Sequence, residues 1–373
     1  MNIAILFSNY GPYHLARLQA FQNLCSQQNW SCNGIELAQK QIEYPWTPNR
    51  ELKNSIISVT QNKQLEKVKF GHLIKELYRV LFRVNPDVIV VSGYSRPAML
   101  FAVLWATLSR KKAILFSDSK EDDAVRTNWQ ERLKQFILKF YKAALVGGQV
   151  HKDYLAKLGM SSQGIFYGYD VVDNTVFSPQ EIGALPNVLD KPYFLAINRF
   201  VPKKNLLNLI DAYSNYRQQV GEGAWDLVLC GDGELKEQIE AKIADLDLGN
   251  CVHLPGFLQQ EQLLPLFAHA GCFVHASTTE QWGLVVNEAM AAGLPVVVSN
   301  RCGCFADLVS EGVNGFGFDP KDVRGLSSLM EKISSSQVNL AAMGQASFDR
   351  IKNYSPEYFA TGLKQAIDYA ISH

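Results

Sequence analysis

Glu280-Gln-Trp-Gly-Leu-Val-Val-Asn-Glu288 runs without a break into Ala-Met-Ala-Ala-Gly-Leu-Pro-Val-Val-Val-Ser299. The pattern reads as a loop, the start of a short helix near Leu284, a glycine stop and a strand that is apolar on both faces. One such step, repeated, builds a parallel sheet covered by helices. The first N–H groups of a helix, here Gly283, Leu284 and Val285, have no carbonyl within the helix to bond, and acids stand on either side of them. That arrangement suits an anion such as a phosphate, with its attached sugars held by Glu280 and Glu288. Taken alone, the stretch reads equally well as an acidic cap on an ordinary helix.

The same alternation extends in both directions. Strand-like runs fall at 2–8, 31–35, 88–92, 113–116, 144–147 and 164–167, then at 193–197, 226–230, 252–254, 272–275 and 295–299. Amphipathic stretches lie between them, at 13–27, 65–84, 97–108, 128–142, 205–219, 234–246 and 261–270. Two doubly wound α/β domains follow. Pro179, Gly183, Pro186 and Asp190 interrupt all periodicity and set the boundary within 178–190. The expected domains are therefore 1–180 and 186–355, with a last amphipathic helix over 356–373.

The 373 residues are 47% hydrophobic, enough for two cores of ordinary size. Net charge is zero, which removes any bulk electrostatic argument for nucleic acid. Residues 1–185 nevertheless carry 22 lysines and arginines against 15 acids, whereas 186–373 carry 14 against 21. The first half is thus expected to meet something anionic, or the two halves to complement each other. Seven cysteines, several in apolar runs, read as small core residues of a reducing compartment. The opening segment is too short and uncharged for a signal peptide, and no apolar run reaches membrane-spanning length. The expectation is a cytoplasmic protein. Basic amphipathic stretches at 65–84 and 128–142 suit peripheral contact with anionic lipid on the inner membrane face, or plain packing on a sheet with a basic outer surface.

Several strand ends carry chemistry. Strand 193–197 opens into Asn198-Arg199-Phe-Val-Pro-Lys203-Lys204-Asn205, where Arg199 offers a planar fork and Lys204 a point charge for a diphosphate. Lys203 reads as a solvated loop charge. Cys230-Gly231-Asp-Gly233-Glu234 lacks the third glycine of a dinucleotide fingerprint; Gly231 permits close backbone approach to a ligand or makes a tight turn. Gly256-Phe257 is a candidate nucleobase wall or an ordinary turn. Glu288, one turn into its helix, suits a ribose diol, and Glu280 on the loop reaches toward the sugar beyond the phosphates. In the first half, Gly11 and His14 follow the first strand, and Asp118 follows the strand at 113–116, where it can contact or deprotonate a hydroxyl. Asp245-Leu-Asp247 ends a polar helix and reads as surface, so no metal is implied.

Taken together, Glu280-x7-Glu288 with the apolar run after it, Asn198-Arg199…Lys204, Gly231-Asp-Gly-Glu234, Pro255-Gly-Phe257 and Asn314-Gly315 resemble, in order, the retaining glycosyltransferases of family 4. Tyr169-Asp-Val-Val-Asp-Asn174 with Phe177 resembles the end of that family's N-terminal domain. The resemblance implies a GT-B fold, two Rossmann-like domains facing across a cleft, with a final helix returning to the first. It implies a nucleotide-sugar donor, UDP-sugar foremost, an acceptor hydroxyl on a glycan, lipid-linked or small molecule, and no cofactor or metal. By position, Arg199 and Lys204 would hold the diphosphate, Glu288 the ribose, and Glu280 would face the donor sugar. A nucleotide-sugar epimerase or phosphorylase, or a non-catalytic sugar-nucleotide-binding module, fits the same scaffold. The chain departs from the family at three places: Asn205 where glycine is frequent, Ser117-Asp118 where His-Asp is frequent, and Gly11 in place of paired glycines. An open position is expected for Lys204 and Glu288, so that their loss changes stability little.

Overall fold

A computed structural model describes residues 1–40, 56–124 and 126–373 of the chain. They form two compact units, Met1–Val172 with Tyr354–His373, and Asp173–Asn353. In the first unit the order is β1 (Asn2–Phe7), α1 (Pro12–Gln27), β2 (Ser31–Lys40), β3 (Ile56–Gln64), α2 (Phe70–Val84), β4 (Val88–Ser92), α3 (Pro97–Leu108), β5 (Lys112–Ser117), α4 (Asn128–Leu138), β6 (Ala143–Val146), α5 (Gln149–Lys157) and β7 (Ile165–Tyr167). The second unit has β8 (Tyr193–Ile197), α6 (Leu206–Val220), β9 (Asp226–Cys230), α7 (Lys236–Asp245), β10 (Val252–Gly256), α8 (Gln260–His269), β11 (Cys272–His275), α9 (Leu284–Ala291), β12 (Val296–Ser299), β13 (Gly315–Phe318), α10 (Val323–Ser334) and α11 (Leu340–Ile351). The last helix, α12 (Pro356–Ser372), belongs to the first unit.

Both sheets are parallel. Their orders are β3-β2-β1-β4-β5-β6-β7 and β10-β9-β8-β11-β12-β13. Strand order therefore reverses between β1 and β4 in one sheet and between β8 and β11 in the other. Such reversal points open a crevice beyond the strands' carboxyl ends, where α/β sheets take ligands. The central strands are continuously apolar because helices cover both faces. On one face of the first sheet, Leu77 and Leu81 of α2, Met99 and Ala102 of α3 and Leu155 of α5 share a core. On the other, α1 and α12 bury Phe21, Phe359, Leu363 and Ile367 against Ile3, Ile5 and Ile114.

The units part at Val172/Asp173, ahead of the breaker-rich stretch at 178–190. The reason is local packing. Asn174 donates to the Ile351 carbonyl at 2.9 Å, and Phe177 meets Phe267 edge-on at 5.5 Å, so the second unit claims the chain before the prolines begin. Two strands escaped the sequence reading. β3 is an edge strand that turns polar after Thr60. β13 is Gly-Phe-Gly-Phe, its glycines set where a Cβ would meet the Val296 backbone or the Phe305 ring.

Because α12 supplies part of the first unit's core, Leu363→Ala is expected to destabilise that unit by about 2–5 kcal/mol. Denaturant unfolding followed by far-UV circular dichroism measures it.

Candidate functional site

In the second unit the loops after β8 and β11 flank the reversal point. The chain leaves β8 through Asn198 and Arg199 into a single 3₁₀ turn, Pro202–Lys204. It then passes Asn205, whose φ of 59° is left-handed. Asparagine tolerates that conformation, and its side chain donates to the Ala276 and Pro320 carbonyls at 3.1 and 2.7 Å. The departure from glycine at this position thus trades backbone freedom for two hydrogen bonds. The Thr278 N–H donates to the Lys203 carbonyl at 2.8 Å, fastening one loop to the other.

That junction brings Lys203, Lys204 and Glu280 together. The Lys204 ammonium pairs directly with the Glu280 carboxylate; Lys203 Nζ stands 3.4 Å from the same carboxylate and 3.4 Å from Gln281 Oε1. Ser277 Oγ donates to Glu280 at 3.3 Å, and His275 Nε2 lies 3.7 Å away. Burial alone would raise the Glu280 carboxyl, but the contact with His275 and the charges of Lys204 and Lys203 hold it well below the usual carboxylate range. His275, fully buried, is pushed down by desolvation and stays neutral. Two expectations are corrected here. Lys203 is no solvated bystander, and Lys204 is not open: its side chain is 12% exposed and that of Glu280 11%, because each carries the other's charge.

Glu280 is held from behind. Its backbone forms a parallel bridge with Cys302, the Gly303 N–H donates to the Glu280 carbonyl at 3.1 Å, and the Cys304 N–H to that of Trp282 at 3.3 Å. Trp282 Nε1 donates to Asn287 Oδ1 at 2.8 Å inside the core. Cys302 and Cys304, both buried free thiols, brace the loop. Gly283 turns it into α9 at φ 106°, a value that disfavours any side chain. Gly283, Leu284 and Val285 stay half-buried, so the helix start remains accessible. Glu288 sits on the next turn and is 6% exposed, not open as expected.

Along the same edge, Gly231 has φ 140°, and a Cβ there would collide with the Asn198 carbonyl. The close approach this glycine permits is to the neighbouring loop, with its N–H donating to the Gly256 carbonyl at 2.8 Å. Phe257 beyond it is 43% exposed, and Arg199 is exposed. Three further polar groups lie near this edge. Asn198 is 7% exposed with neither end of its amide hydrogen-bonded to protein; the buried Nδ1 of His275 and Oγ1 of Thr279 also lack protein partners. Buried polar atoms left unsatisfied cost about 1–3 kcal/mol each, so water or a bound molecule is expected to complete them. Sequence reasoning quoted Asn198 only as part of a motif and missed His275 and Thr279. Their one signal was position, at or within four residues after the strand ends 193–197 and 272–275.

The first unit gathers its own set beyond β1 and β5. Gly11 caps α1, its N–H donating to His14 Nδ1 at 3.2 Å; with φ −91° the position does not require glycine. The His14 ring packs on Phe7 at 4.2 Å, and burial with the nearby Arg17 charge lowers its pKa to about 3. Asp118 is exposed just past β5. Below it, Arg17 is buried and donates twice to the Val171 carbonyl, at 3.1 and 2.8 Å. Asp170 is buried too; desolvation and the Asp118 charge raise its carboxyl to about 8.

Two parallel sheets, each with helices packed between its strands in sequence, define a Rossmann-like α/β protein. Residues 178–350 match the model of the glycosyl transferases group 1. Over 183 residues it is 29% identical to the amylovoran biosynthesis glycosyltransferase AmsK of Erwinia amylovora, covering 47% of this chain and 44% of that protein. It is 31% identical over 158 residues to the lipopolysaccharide core biosynthesis glycosyltransferase LpsE of Rhizobium meliloti, covering 42% and 44%. The chain spans under half the length of these curated relatives. The fold is that of Anabaena HepE, solved with UDP and glucose (TM-score 0.76, 18% identity, 99% of each chain), and of sucrose-phosphate synthase from Thermosynechococcus elongatus (TM-score 0.76, 18% identity, 100% and 99%). The GT-B class expected from the sequence is thus the fold the chain has.

Lys204→Ala leaves Glu280 short of its closest partner and is expected to cost about 2 kcal/mol of stability, which Lys204→Met with Glu280→Gln recovers; chemical denaturation of both variants measures this. His14 titrates lower folded than unfolded (about 3 against about 6.5), so it contributes stability above the unfolded pKa that is lost as pH falls through that interval. His14→Gln keeps an acceptor for the Gly11 amide but removes the proton. Between pH 7 and 4.5 the wild type should lose about 5–10 °C more melting temperature than this variant.

Proposed function

We propose that the protein is a retaining glycosyltransferase that moves a sugar from a nucleoside-diphosphate donor, UDP-sugar foremost, to a hydroxyl of a glycan, lipid-linked or small-molecule acceptor. The observation that carries this reading is the edge of the second sheet, where Lys203, Lys204 and the accessible start of α9 surround Glu280 near the unsatisfied Asn198 amide, His275 Nδ1 and Thr279 Oγ1. The relatives' names and the UDP complexes of HepE support it.

In this reading the bond between the anomeric carbon and the diphosphate oxygen breaks, and a bond to the acceptor oxygen forms. Negative charge then grows on the leaving diphosphate. Arg199, Lys204 and the amides of Gly283, Leu284 and Val285 meet that charge, each preorganised donor contributing about 10²–10³ in rate. Lys203 remains beside Glu280 when Lys204 turns toward phosphate, so the carboxylate keeps a cation. Glu280 then hydrogen-bonds the transferred sugar, Glu288 holds the ribose, and Gly231, Gly256 and Phe257 border the base. On the first unit, Asp118 contacts or deprotonates the acceptor hydroxyl, and Gly11 and His14 are candidate donor contacts. Because these cations supply the positive charge the leaving group requires, no metal or other cofactor enters the reaction.

Turnover tests this. With UDP-sugars, GDP-sugars and ADP-sugars offered in parallel, one donor class should raise the melting temperature and be consumed only with an acceptor, undiminished by EDTA. Lys204→Met/Glu280→Gln, stable by the argument above, should lose at least about 10²-fold in kcat/KM. Consumption without acceptor would instead identify an epimerase or phosphorylase, and binding without any turnover a non-catalytic module. Wild-type rates in the double variant would remove the site assignment.

A further inference from the structure

The first unit carries an unpartnered face that the donor chemistry does not use. α2, α3 and α5 pack their inner sides into the same core on one side of the sheet, and Leu138 anchors α4 there too. Sequential crossovers to β4, β5 and β6 set α2, α3 and α4 side by side on that layer. Their outer sides are apolar where a solvated surface would be polar. Tyr78 and Phe82 stack at 6.2 Å on α2 and, with Leu104 and Leu108 of α3, line a groove of about 480 Å³; Phe82 is 71% and Leu108 76% exposed. On α4, Trp129, Leu133 and Phe136 form a stripe at helical spacing that continues to Phe140, with Trp129 65% and Phe136 56% exposed. Among the described residues, nine of the thirteen exposed large apolar side chains lie on or directly after these three helices, which makes the face a patch rather than scatter.

The charges set among them have one dominant sign. Lys75, Arg79 and Arg83 flank the α2 aromatics, Arg110 follows α3, and Arg132, Lys139 and Lys142 flank the α4 stripe, all exposed. The acids nearby are already paired: Glu76 with Arg79 at 2.7 Å, Glu131 with Lys134 at 2.8 Å, Asp87 with Lys111 at 3.2 Å. Exposed aromatics interleaved with an excess of cations match a bilayer interface, where rings enter the headgroup layer and ammonium and guanidinium groups meet lipid phosphate. A second copy of the chain fits poorly, because an isologous contact would set the same cations against each other. Among the described residues no helix is long and apolar enough to cross a membrane, so the contact would be one of surface docking.

We propose that the outer face of α2, α3 and α4 docks on an anionic lipid bilayer, placing the first unit against the membrane surface. The inference stands apart from the donor reading and is tested without turnover. The full chain is floated with vesicles of phosphatidylcholine alone and with about one-third phosphatidylglycerol, at low and high salt. Binding should require the anionic lipid and weaken at least tenfold at high salt, each basic residue near the surface contributing about fivefold. Phe82→Ser with Phe136→Ser, both exposed, should abolish flotation without shifting the melting temperature, and Arg83→Glu with Lys139→Glu should do the same. Absence of flotation with anionic vesicles at low salt would overturn the proposal, as would flotation untouched by these variants. A dimer in light scattering that Phe82→Ser dissolves, without lipid binding, would assign the face to self-association instead.

Discussion

A carboxylate as deeply placed as Glu280 persists only beside a cation, and Lys204 is that cation. The pair joins the loops after β8 and β11 at the reversal point of the second sheet, and much of the site's architecture serves to hold it. Thr278 and Asn205 fasten one loop to the other, Cys302, Gly303 and Cys304 brace Glu280 from behind, and Gly283 lets the chain turn at once into α9. A buried ion pair contributes little net stability, since desolvation offsets attraction. Its use here is positional. It holds a lysine beside a helix start at one edge; in the proposed reaction an incoming diphosphate takes over Lys204 while Lys203 stays with Glu280.

The sequence showed the fold wherever burial was two-sided. Tyr193–Ile197, Asp226–Cys230 and Cys272–His275 are apolar throughout because helices cover both faces, and their bounds were readable to the residue. β3 and β13 were not, for different reasons. An edge strand has one neighbour and tolerates the polar tail of Ile56–Gln64, so alternation fades. In β13, glycine stands where the neighbouring backbone leaves no room for a Cβ, and glycine in a run reads as loop. The domain boundary was displaced for a third reason: composition marks where a chain is irregular, whereas Asn174 and Phe177 show where it becomes attached.

At the site, Arg199, Lys204, Glu280 and Glu288 were legible through their order and spacing. Their relations were not. Spacing along a chain reports which strand end a residue follows, but β8 and β11 are neighbours only because the sheet is wound outward from its middle, and no local pattern states that Lys204 will meet Glu280 across the gap. The same holds for His275, which looks like the last residue of a buried strand and becomes a contact of the carboxylate only after folding. Gly231 teaches the reverse lesson. Its glycine was readable, but no local pattern states that the space a Cβ would take is filled by the Asn198 carbonyl.

Charge makes the distinction sharper. The positive excess of the first 185 residues, 22 basic against 15 acidic, invites assignment to an anionic substrate. The edge proposed to take a diphosphate lies instead in the acidic half, which carries 14 against 21. Net charge is a long-range quantity that salt screens within about 10 Å, whereas a departing phosphate meets cations at contact distance. Lys203, Lys204 and the start of α9 therefore govern the site despite the sign of their surroundings. The basic excess of the first half is free for a different task, and the structure sets much of it, at Lys75, Arg79, Arg83, Arg132, Lys139 and Lys142, among exposed aromatics on one helical layer. A planar, negatively charged partner of large extent uses such diffuse charge well, because many weak contacts add where a single small ligand would engage only a few.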